Sequence, residues 1–117
     1  MNSDQILKLA VQAADGKRAN RIVALNMQKA SLLADYFLIM DATSPRQVKA
    51  IANAIIETAK KHQVDVNEVE GLNEAKWVLI DLDGVIVHVF THETRSFYDL
   101  EKLWSDAPRV DVSKWEK

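Results

Sequence analysis

The sequence predicts a single α/β (α+β) domain in which a mixed β-sheet packs against helices, and three observations support this fold class. The chain has 117 residues, of which 48% are hydrophobic and 27% charged, as is typical of one globular domain. Segments with helical periodicity alternate with apolar segments that are too short to be helices. An Asp-Gly pair between two apolar runs predicts a hairpin of antiparallel strands, and the middle helix predicts a crossover between strands.

The first helix is predicted over about residues 4–15. Ser3 is a typical N-cap residue, and Gly16 tolerates the positive φ of a helix end. Between them, apolar residues recur every three to four positions, namely Ile6, Leu7, Ala10, Val11, Ala13 and Ala14. Two strands are then predicted over 21–27 and 36–40, where short segments are rich in Ile, Val, Phe and Leu.

The middle helix has the clearest start in the sequence. Ser44 predicts an N-cap, Pro45 fits the first helical position, and Gln47 lies at the third position, where its side chain completes a capping box. The helix is predicted to run to about His62. One of its faces is apolar and is formed by Val48, Ile51, Ala52, Ile55 and Ala59.

A hairpin is predicted in the C-terminal half, after a possible short strand near residues 66–70. Its strands are 77–82 and 85–90, and Asp83 and Gly84 form the turn. With a two-residue turn, one face is wholly aliphatic and belongs to the core, with Val78, Ile80, Leu82, Val85, Val87 and Val89. The other face carries Trp77, Leu79, Asp81, Ile86, His88 and Phe90.

A last helix is predicted over about residues 93–104. Its periodicity turns an apolar stripe inward, formed by Phe97, Leu100, Leu103 and Trp104. Arg95 and Asp99 are spaced as an i,i+4 ion pair. Arg95 and Tyr98 are expected to be exposed.

Composition and charge exclude several classes of function. The formal net charge of −2 gives no general attraction to phosphate backbones, so little direct nucleic-acid binding is expected. The absence of Cys excludes disulfides, thiolate metal sites and a Cys nucleophile, and it fits a cytoplasmic protein. No export signal and no membrane-spanning segment of roughly 18 apolar residues is found. The domain is expected to span residues 1–107, with a poorly ordered tail over 108–117.

Asp81 and Asp83 are the sharpest candidates for catalysis. An apolar strand ending in Asp-x-Asp-Gly resembles the nucleophile motif of haloacid dehalogenase-type phosphatases, in which both carboxylates bind magnesium. However, only 33 residues follow Gly84, and the chain enters a strand without the loop and helix that those enzymes need. A hairpin turn beside one surface acid explains the same residues. A magnesium-dependent phosphatase or nucleotidyltransferase is therefore the alternative function.

The histidines do not have the spacing of a metal site. His62, His88 and His92 lack the i,i+4 helical spacing or the flanking acids that zinc and iron sites show, so no metal or cofactor is expected. His88 lies one diagonal step across the hairpin from Asp81, a spacing that allows a hydrogen bond between them. No nucleophile accompanies this pair, so the chain is not expected to be an enzyme.

The C-terminal half also carries a spaced pattern of identities. It comprises Glu70-Gly71, Trp77 to Asp81, Val85 to Phe90, Arg95, and Tyr98 to Trp104. Upstream it is preceded by Asp35 to Ile39 and by Ala42 to Ala52. Over about residues 6–107 the chain closely resembles the ribosomal silencing factor family, also called Iojap-like proteins. Family members commonly have Gly in place of Ala42, and Leu-Gly-Asp in place of Leu82-Asp83-Gly84.

The resemblance implies a regulator of translation. Such a protein binds the large ribosomal subunit through a ribosomal protein at the face where the small subunit docks. It thereby blocks subunit joining and represses translation when nutrients are short. The resemblance also implies a fold similar to nucleotidyltransferases, without their catalytic residues. Whether the free protein is a homodimer is left open.

Aromatic residues on the second hairpin face and on the last helix are the candidates for binding the partner. Trp, Tyr and Arg are the residue types most enriched at binding hot spots. The candidate set is Trp77, His88, Phe90, Arg95, Tyr98, Leu100 and Trp104. Alternatively, the last helix covers this face, and Trp77 and Trp104 only pack together in the core.

Overall fold

A computed structural model describes all 117 residues of the chain as one mixed six-stranded sheet with helices. The helices are α1 (Ser3–Gly16), α2 (Pro45–Lys61), α3 (His92–Tyr98) and α4 (Leu100–Leu103), followed by a 3-10 turn at Ser113–Trp115. The strands are β1 (Asn20–Asn26), β2 (Tyr36–Ala42), β3 (Val66–Glu70), β4 (Trp77–Leu82), β5 (Val85–Thr91) and β6 (Arg109–Val110). The α/β (α+β) prediction is confirmed.

The strand order across the sheet is β3-β4-β5-β2-β1-β6. Strands β2 and β5 run parallel, and the other neighbours are antiparallel. The chain leaves β2 through α2, makes the β3–β4 and β4–β5 hairpins, and returns beside β2. This crossover through the middle helix is the one that the sequence predicts.

The predicted register of the β4–β5 hairpin is confirmed. Leu82 pairs with Val85 across a two-residue turn, and Trp77 pairs with Phe90 at the open end. The face predicted to be core is buried at every position, with Val78, Ile80, Leu82, Val85, Val87 and Val89 each at most 1% exposed. An Asp-Gly turn signal therefore fixed which side chains face the interior, because side chains alternate along each strand.

Helices α1 and α2 pack on this aliphatic face and complete the main core. The predicted N-cap of α2 is confirmed, because Ser44 Oγ accepts a hydrogen bond of 3.2 Å from the backbone N–H of Gln47. The predicted capping box is wrong in its second half, since the Gln47 side chain accepts from Thr43 and not from the Ser44 backbone. The predicted cap of α1 is wrong by one residue. Asn2, not Ser3, is the N-cap, and it exchanges side-chain and backbone hydrogen bonds with Gln5 at 2.9 and 3.0 Å. Asn accepts such bonds as well as Ser does, so both residues fit the same signal.

The opposite face of the sheet carries a smaller hydrophobic cluster. Its buried members are Leu25, Met27, Ala34, Ile39, Phe90 and Ala107. Around them lie partly buried residues, namely Val23, Phe37, Trp77, Ile86, Leu100 and Trp104. The elements beside this face are only the short α3 and α4. The sheet is therefore covered by long helices on one side alone, and this asymmetry positions the candidate site.

The segment predicted to be a poorly ordered tail has a place in the structure. Strand β6 pairs with β1 through Val110 and Arg109, opposite Ala24 and Leu25. Val112 is buried in the main core. The domain boundary at residue 107 stays a prediction, as does the likeness to nucleotidyltransferases. None of the helices has the length and apolar character that crossing a membrane requires.

Candidate partner-binding face

We define the open face as the surface formed by Phe37, Trp77, Leu79, Ile86, His88 and Phe90. These residues lie on β2, β4 and β5, on the side away from α1 and α2. Phe37, Trp77, Leu79 and Ile86 are only partly buried, whereas His88 and Phe90 are buried beneath them. The open face is thus a layer of apolar side chains over a buried imidazole and a buried phenyl ring.

Trp77 and His88 form the polar contact at the centre of the open face. The indole Nε1 of Trp77 donates a hydrogen bond of 3.1 Å to Nδ1 of His88. The anticipated bond between His88 and Asp81 is not formed. His88 lies opposite Leu79 in the ladder, so Trp77 and Asp81 are its two diagonal neighbours. The imidazole is paired with the indole, and the ring of Phe90 stacks on it at 6.1 Å.

His88 is neutral at physiological pH. Burial lowers the pKa of His88 from 6.5 to about 4, because the charged form loses its hydration. Trp77 Nε1 can only donate, so Nδ1 is the accepting nitrogen and the proton of the neutral ring is on Nε2. Nε2 is buried without a hydrogen-bond partner. The six residues of the open face therefore carry no charge, and Asp81 is the acid that β4 places beside them on the same side of the sheet.

The last helix is broken, which contradicts the prediction of one helix over 93–104. Asp99 adopts a left-handed conformation, with φ 47° and ψ 58°, between α3 and α4. The predicted inward stripe is wrong at two positions, because Phe97 is 81% exposed and Leu103 is 69% exposed. A left-handed residue turns the chain out of the helical path, so residues on either side of it no longer share one face.

Two aromatic residues of this broken segment frame the open face. Tyr98 is 51% exposed, as predicted, and its ring lies 4.8 Å from that of Trp77. Trp104 is partly buried and meets Phe37 edge to face at 5.9 Å. Leu100 is partly buried against the same cluster. Trp77 and Trp104 contact different neighbours here, so the two indoles do not form the mutual packing that was the alternative.

Beside Trp77 and Tyr98 the surface opens into a cleft of about 790 Å³. Its lining also includes Gly71 and Leu72, from the turn that follows β3, and Thr94 from α3. Gly71 has φ 81°, and a side chain there would meet the carbonyl oxygen of Trp77. The turn therefore needs glycine to pass close to β4, and it leaves room for an inserted side chain at the edge of the open face.

Arg95 is buried, which contradicts the prediction that it is exposed. Its side chain is 4% exposed and forms ion pairs with Asp41 at 3.1 Å and with Glu101 at 2.9 Å. The predicted pair with Asp99 is absent, because Asp99 leaves the helix at this point. A buried guanidinium has no free surface to offer a partner.

Asp81 and Asp83 do not belong to a cluster of acids that could hold a metal ion, although Asp81 lies opposite Glu68 of β3. Asp83 is exposed in the β4–β5 turn, and Asp81 is partly buried on β4 opposite Ile86. No group of three or more His, Asp or Glu side chains lies close enough to hold a metal ion. The Asp-x-Asp-Gly sequence is therefore the end of strand β4 followed by a hairpin turn.

Phe37 is the residue of the open face that sequence reasoning did not identify. It lies 40 residues before Trp77 in the chain, and it reaches the face because β2 pairs with β5, with Phe37 opposite Ile86. Its ring is 5.0 Å from that of His88. The apolar character of β2 predicts a strand, but no local signal identifies the neighbour of that strand.

Comparison with known proteins gives a consistent result over nearly the whole chain. A family model described as "Ribosomal silencing factor during starvation" matches residues 1–117. The chain is 52% identical to the ribosomal silencing factor RsfS of Bacillus subtilis over 112 residues. This alignment covers 96% of this chain and 95% of that protein. A crystal structure from Bacillus halodurans has a TM-score of 0.84 and 45% identity, covering 93% of this chain and 99% of the other. An X-ray structure from Chromobacterium violaceum has a TM-score of 0.88 and 35% identity, covering 90% and 88%. The chain belongs to the ribosomal silencing factor family.

Proposed function

We propose that this protein binds the large ribosomal subunit through a ribosomal protein at the inter-subunit face and blocks association of the two subunits. Translation is thereby repressed under starvation, in the cytoplasm, where the subunits meet. The observation that carries the proposal is the open face, an apolar and aromatic surface that no long helix of the chain covers. Membership in the ribosomal silencing factor family supports the ribosome as the target.

A protein fits the open face better than RNA does. The six residues that define the face include no Lys or Arg, and its single histidine is neutral. Phosphate backbones are bound mainly by cationic side chains, whereas protein partners are bound by aromatic anchors in apolar surroundings. Tyr98 beside Trp77 is such an anchor, and the adjoining cleft gives a partner's side chain a place to insert.

The proposed mechanism is steric and involves no catalytic step. The domain measures 33 × 32 × 28 Å, so a copy docked on the inter-subunit face occupies space that the small subunit needs. The alternative of a phosphatase or nucleotidyltransferase that uses Asp81 and Asp83 has less support, because the two carboxylates belong to no group of three acidic or histidine side chains that could hold a metal ion. The family is one of regulatory proteins.

Replacing Tyr98 by Ala is expected to weaken binding to isolated large subunits about thirtyfold. A buried aromatic anchor commonly contributes about 2 kcal/mol to an interface, and that free energy corresponds to this factor in affinity. Half of the Tyr98 side chain is exposed in the free protein, so its loss has little effect on folding. Titration of the purified variant, with its melting temperature and its inhibition of subunit joining, measures the effect.

The control is Trp115→Ala, which removes a partly buried aromatic ring beside α1, on the side of the sheet away from the open face. It is expected to bind normally. Trp77→Ala is a weaker test, since losing Trp77 also removes the hydrogen bond to His88 and lowers stability. Native affinity for Tyr98→Ala would place the interface on another surface.

A further inference from the structure

Arg95 is a buried charged side chain that forms three hydrogen bonds, as its partner Asp41 also does. Its Nη1 donates to the backbone carbonyl of Arg21 at 2.7 Å and to Asp41 Oδ2 at 3.1 Å. Its Nε donates to Glu101 Oε1 at 2.9 Å. One guanidinium on α3 therefore joins β1, β2 and α4. Arg presents its donors in a rigid fork, so three simultaneous bonds fix the direction of the side chain.

Asp41, the carboxylate that accepts from Arg95, is also held by contacts that do not involve Arg95. Asp41 is 1% exposed at the end of β2 and also accepts two hydrogen bonds from Arg21, at 3.0 and 2.6 Å. Arg21 lies in an irregularity of β1 with φ 47°, and its carbonyl is bonded by Arg95. A non-glycine residue with positive φ is strained, and such strain persists only where the surroundings fix it. The sheet thus holds the Asp41 carboxylate and the Arg21 carbonyl side by side, where both accept hydrogen bonds from Arg95.

Apart from Arg95, the α3–α4 segment is held by the partial burial of Leu100 and Trp104 and by the contact of Tyr98 with Trp77. Glu101 also pairs with Arg109 at 3.6 Å, an exposed side chain that adds little. Helices α3 and α4 have seven and four residues, and helices this short are not stable in isolation. Phe97 and Leu103 are largely exposed and contribute little buried area. The two helices are separated by the left-handed Asp99, and the pair between Arg95 and Glu101 bridges that break.

We propose that Arg95 is a positioning residue for partner binding, acting through Tyr98 and Trp104 without touching the partner. By fixing α3 against the sheet and α4 against α3, Arg95 holds Tyr98 over Trp77 and Trp104 beside Phe37, at two edges of the open face. This inference rests on the proposed function for the identity of the partner. Its structural part, the control of the α3–α4 segment by Arg95, stands on the contacts alone.

Arg95→Gln tests the proposal without dismantling the sheet, because Asp41 keeps its two bonds from Arg21. Loss of the fork lets the α3–α4 segment adopt several orientations. The apparent Kd rises by the inverse of the binding-competent fraction, so we expect binding to isolated large subunits to weaken about tenfold. Hydrogen exchange of the amides of residues 92–104 is expected to accelerate, while α1 and α2 keep their protection.

Three further variants show whether the effect comes from positioning. Arg46→Gln removes an exposed arginine from α2 and is the matched control, expected to bind and exchange as the unsubstituted protein does. Arg95→Lys keeps the charge but loses the fork, and an intermediate affinity is expected. Arg95→Gln in a Tyr98→Ala background is expected to cost less than Arg95→Gln alone, because residues that act through one another are not additive.

Native affinity for Arg95→Gln, or unchanged exchange over residues 92–104, overturns the proposal. A uniform rise in exchange across the whole sheet also overturns it, since Arg95 would then be an ordinary stabilising residue. Failure of the unsubstituted protein to bind large subunits is a different result. It refutes the proposed function, whereas the exchange measurement on the free protein still decides whether Arg95 controls the position of Tyr98.

Discussion

At the scale of single residues, His88 shows how an apolar surface accommodates a buried polar ring. Its Nδ1 is satisfied by Trp77, while Nε2 carries a proton and has no acceptor. A buried donor without a partner costs about 1–3 kcal/mol. The surrounding rings of Phe37, Trp77 and Phe90 exclude water, and this burial keeps the imidazole neutral.

The protonation of His88 makes the stability of the free protein dependent on pH. The unfolded chain takes up a proton at this position near pH 6.5, whereas the folded chain does so only near pH 4. Between these values the unfolded state binds more protons than the folded state. The contribution of neutral His88 to the free energy of unfolding is therefore fully present above pH 6.5 and is lost as the pH falls toward 4. The total loss of stability is about 3 kcal/mol. Urea denaturation at pH 7 and at pH 4.5 measures most of this loss, since the second pH lies just above the folded-state pKa of about 4.

His88→Asn is the control for this pH dependence, since the amide oxygen accepts a hydrogen bond but the side chain does not titrate. The difference in unfolding free energy between the two proteins is expected to change with pH over this window. Equal pH profiles for the two would show that His88 has an ordinary pKa and is not desolvated.

At the scale of secondary-structure elements, the backbone of the β4–β5 turn accounts for the Asp83-Gly84 sequence. Gly84 has φ 82°, while Asp83 has no left-handed backbone conformation. The turn therefore depends on glycine at its second position and tolerates different polar residues at its first. A side chain at Gly84 would approach Asp35 Oδ2 and Ser3 Cβ at 3.2 Å, on a backbone that disfavours it.

Asp83→Asn is expected to leave stability and inhibition of subunit joining unchanged, because Asn-Gly serves a two-residue turn as well as Asp-Gly. Gly84→Ala is the contrasting variant, expected to cost about 1 kcal/mol or more through the positive φ. Thermal melts and a subunit-joining assay measure both. A folded Asp83→Asn protein that no longer inhibits joining would restore the catalytic hypothesis.

The elements that the sequence predicted correctly are those with local signals. The cap at Ser44 and the turn at Gly84 each lie within a few residues of the structure they specify. The sequence does not predict the break at Asp99, because Asp adopts the left-handed conformation only occasionally and Phe97 to Trp104 keep the spacing of a continuous helix. The burial of Arg95 was missed for another reason, since its partner Asp41 lies 54 residues away in the chain.

The residues of the candidate site likewise divide into those that a local sequence signal identifies and those that depend on distant parts of the chain. The hairpin register identified Trp77, His88 and Phe90 as neighbours, because one turn determines every pair along two strands. Phe37 belongs to the open face because β2 pairs in parallel with β5, and no nearby residue determines that pairing. Tyr98 was expected to be exposed, and it is, although the helix that carries it ends at this residue.

At the scale of the whole molecule, the two faces of the sheet differ in how they are covered. One face is buried by α1 and α2, which form the main core with β2, β4 and β5. The other is covered only in part by α3, α4 and the chain that leads into β6. An apolar surface left uncovered in this way usually marks a protein interface. A domain of this shape can be compact and stable while keeping one broad face available for a partner.

The net charge of the molecule and the charge of the open face predict how binding to the large subunit responds to salt. The chain has a formal net charge of −2, and the open face carries no cationic side chain. A protein that neutralises six to ten phosphates loses about 10³–10⁵ in affinity between about 50 and 200 mM salt. An apolar protein interface is affected only through charges at its rim, so we expect a change of about threefold or less over the same range. Titration against isolated large subunits at constant magnesium, which keeps the subunits intact, measures the slope. A steep fall in affinity would show that ribosomal RNA, rather than a ribosomal protein, provides most of the contact, and the interface would then have to include cationic residues outside the open face.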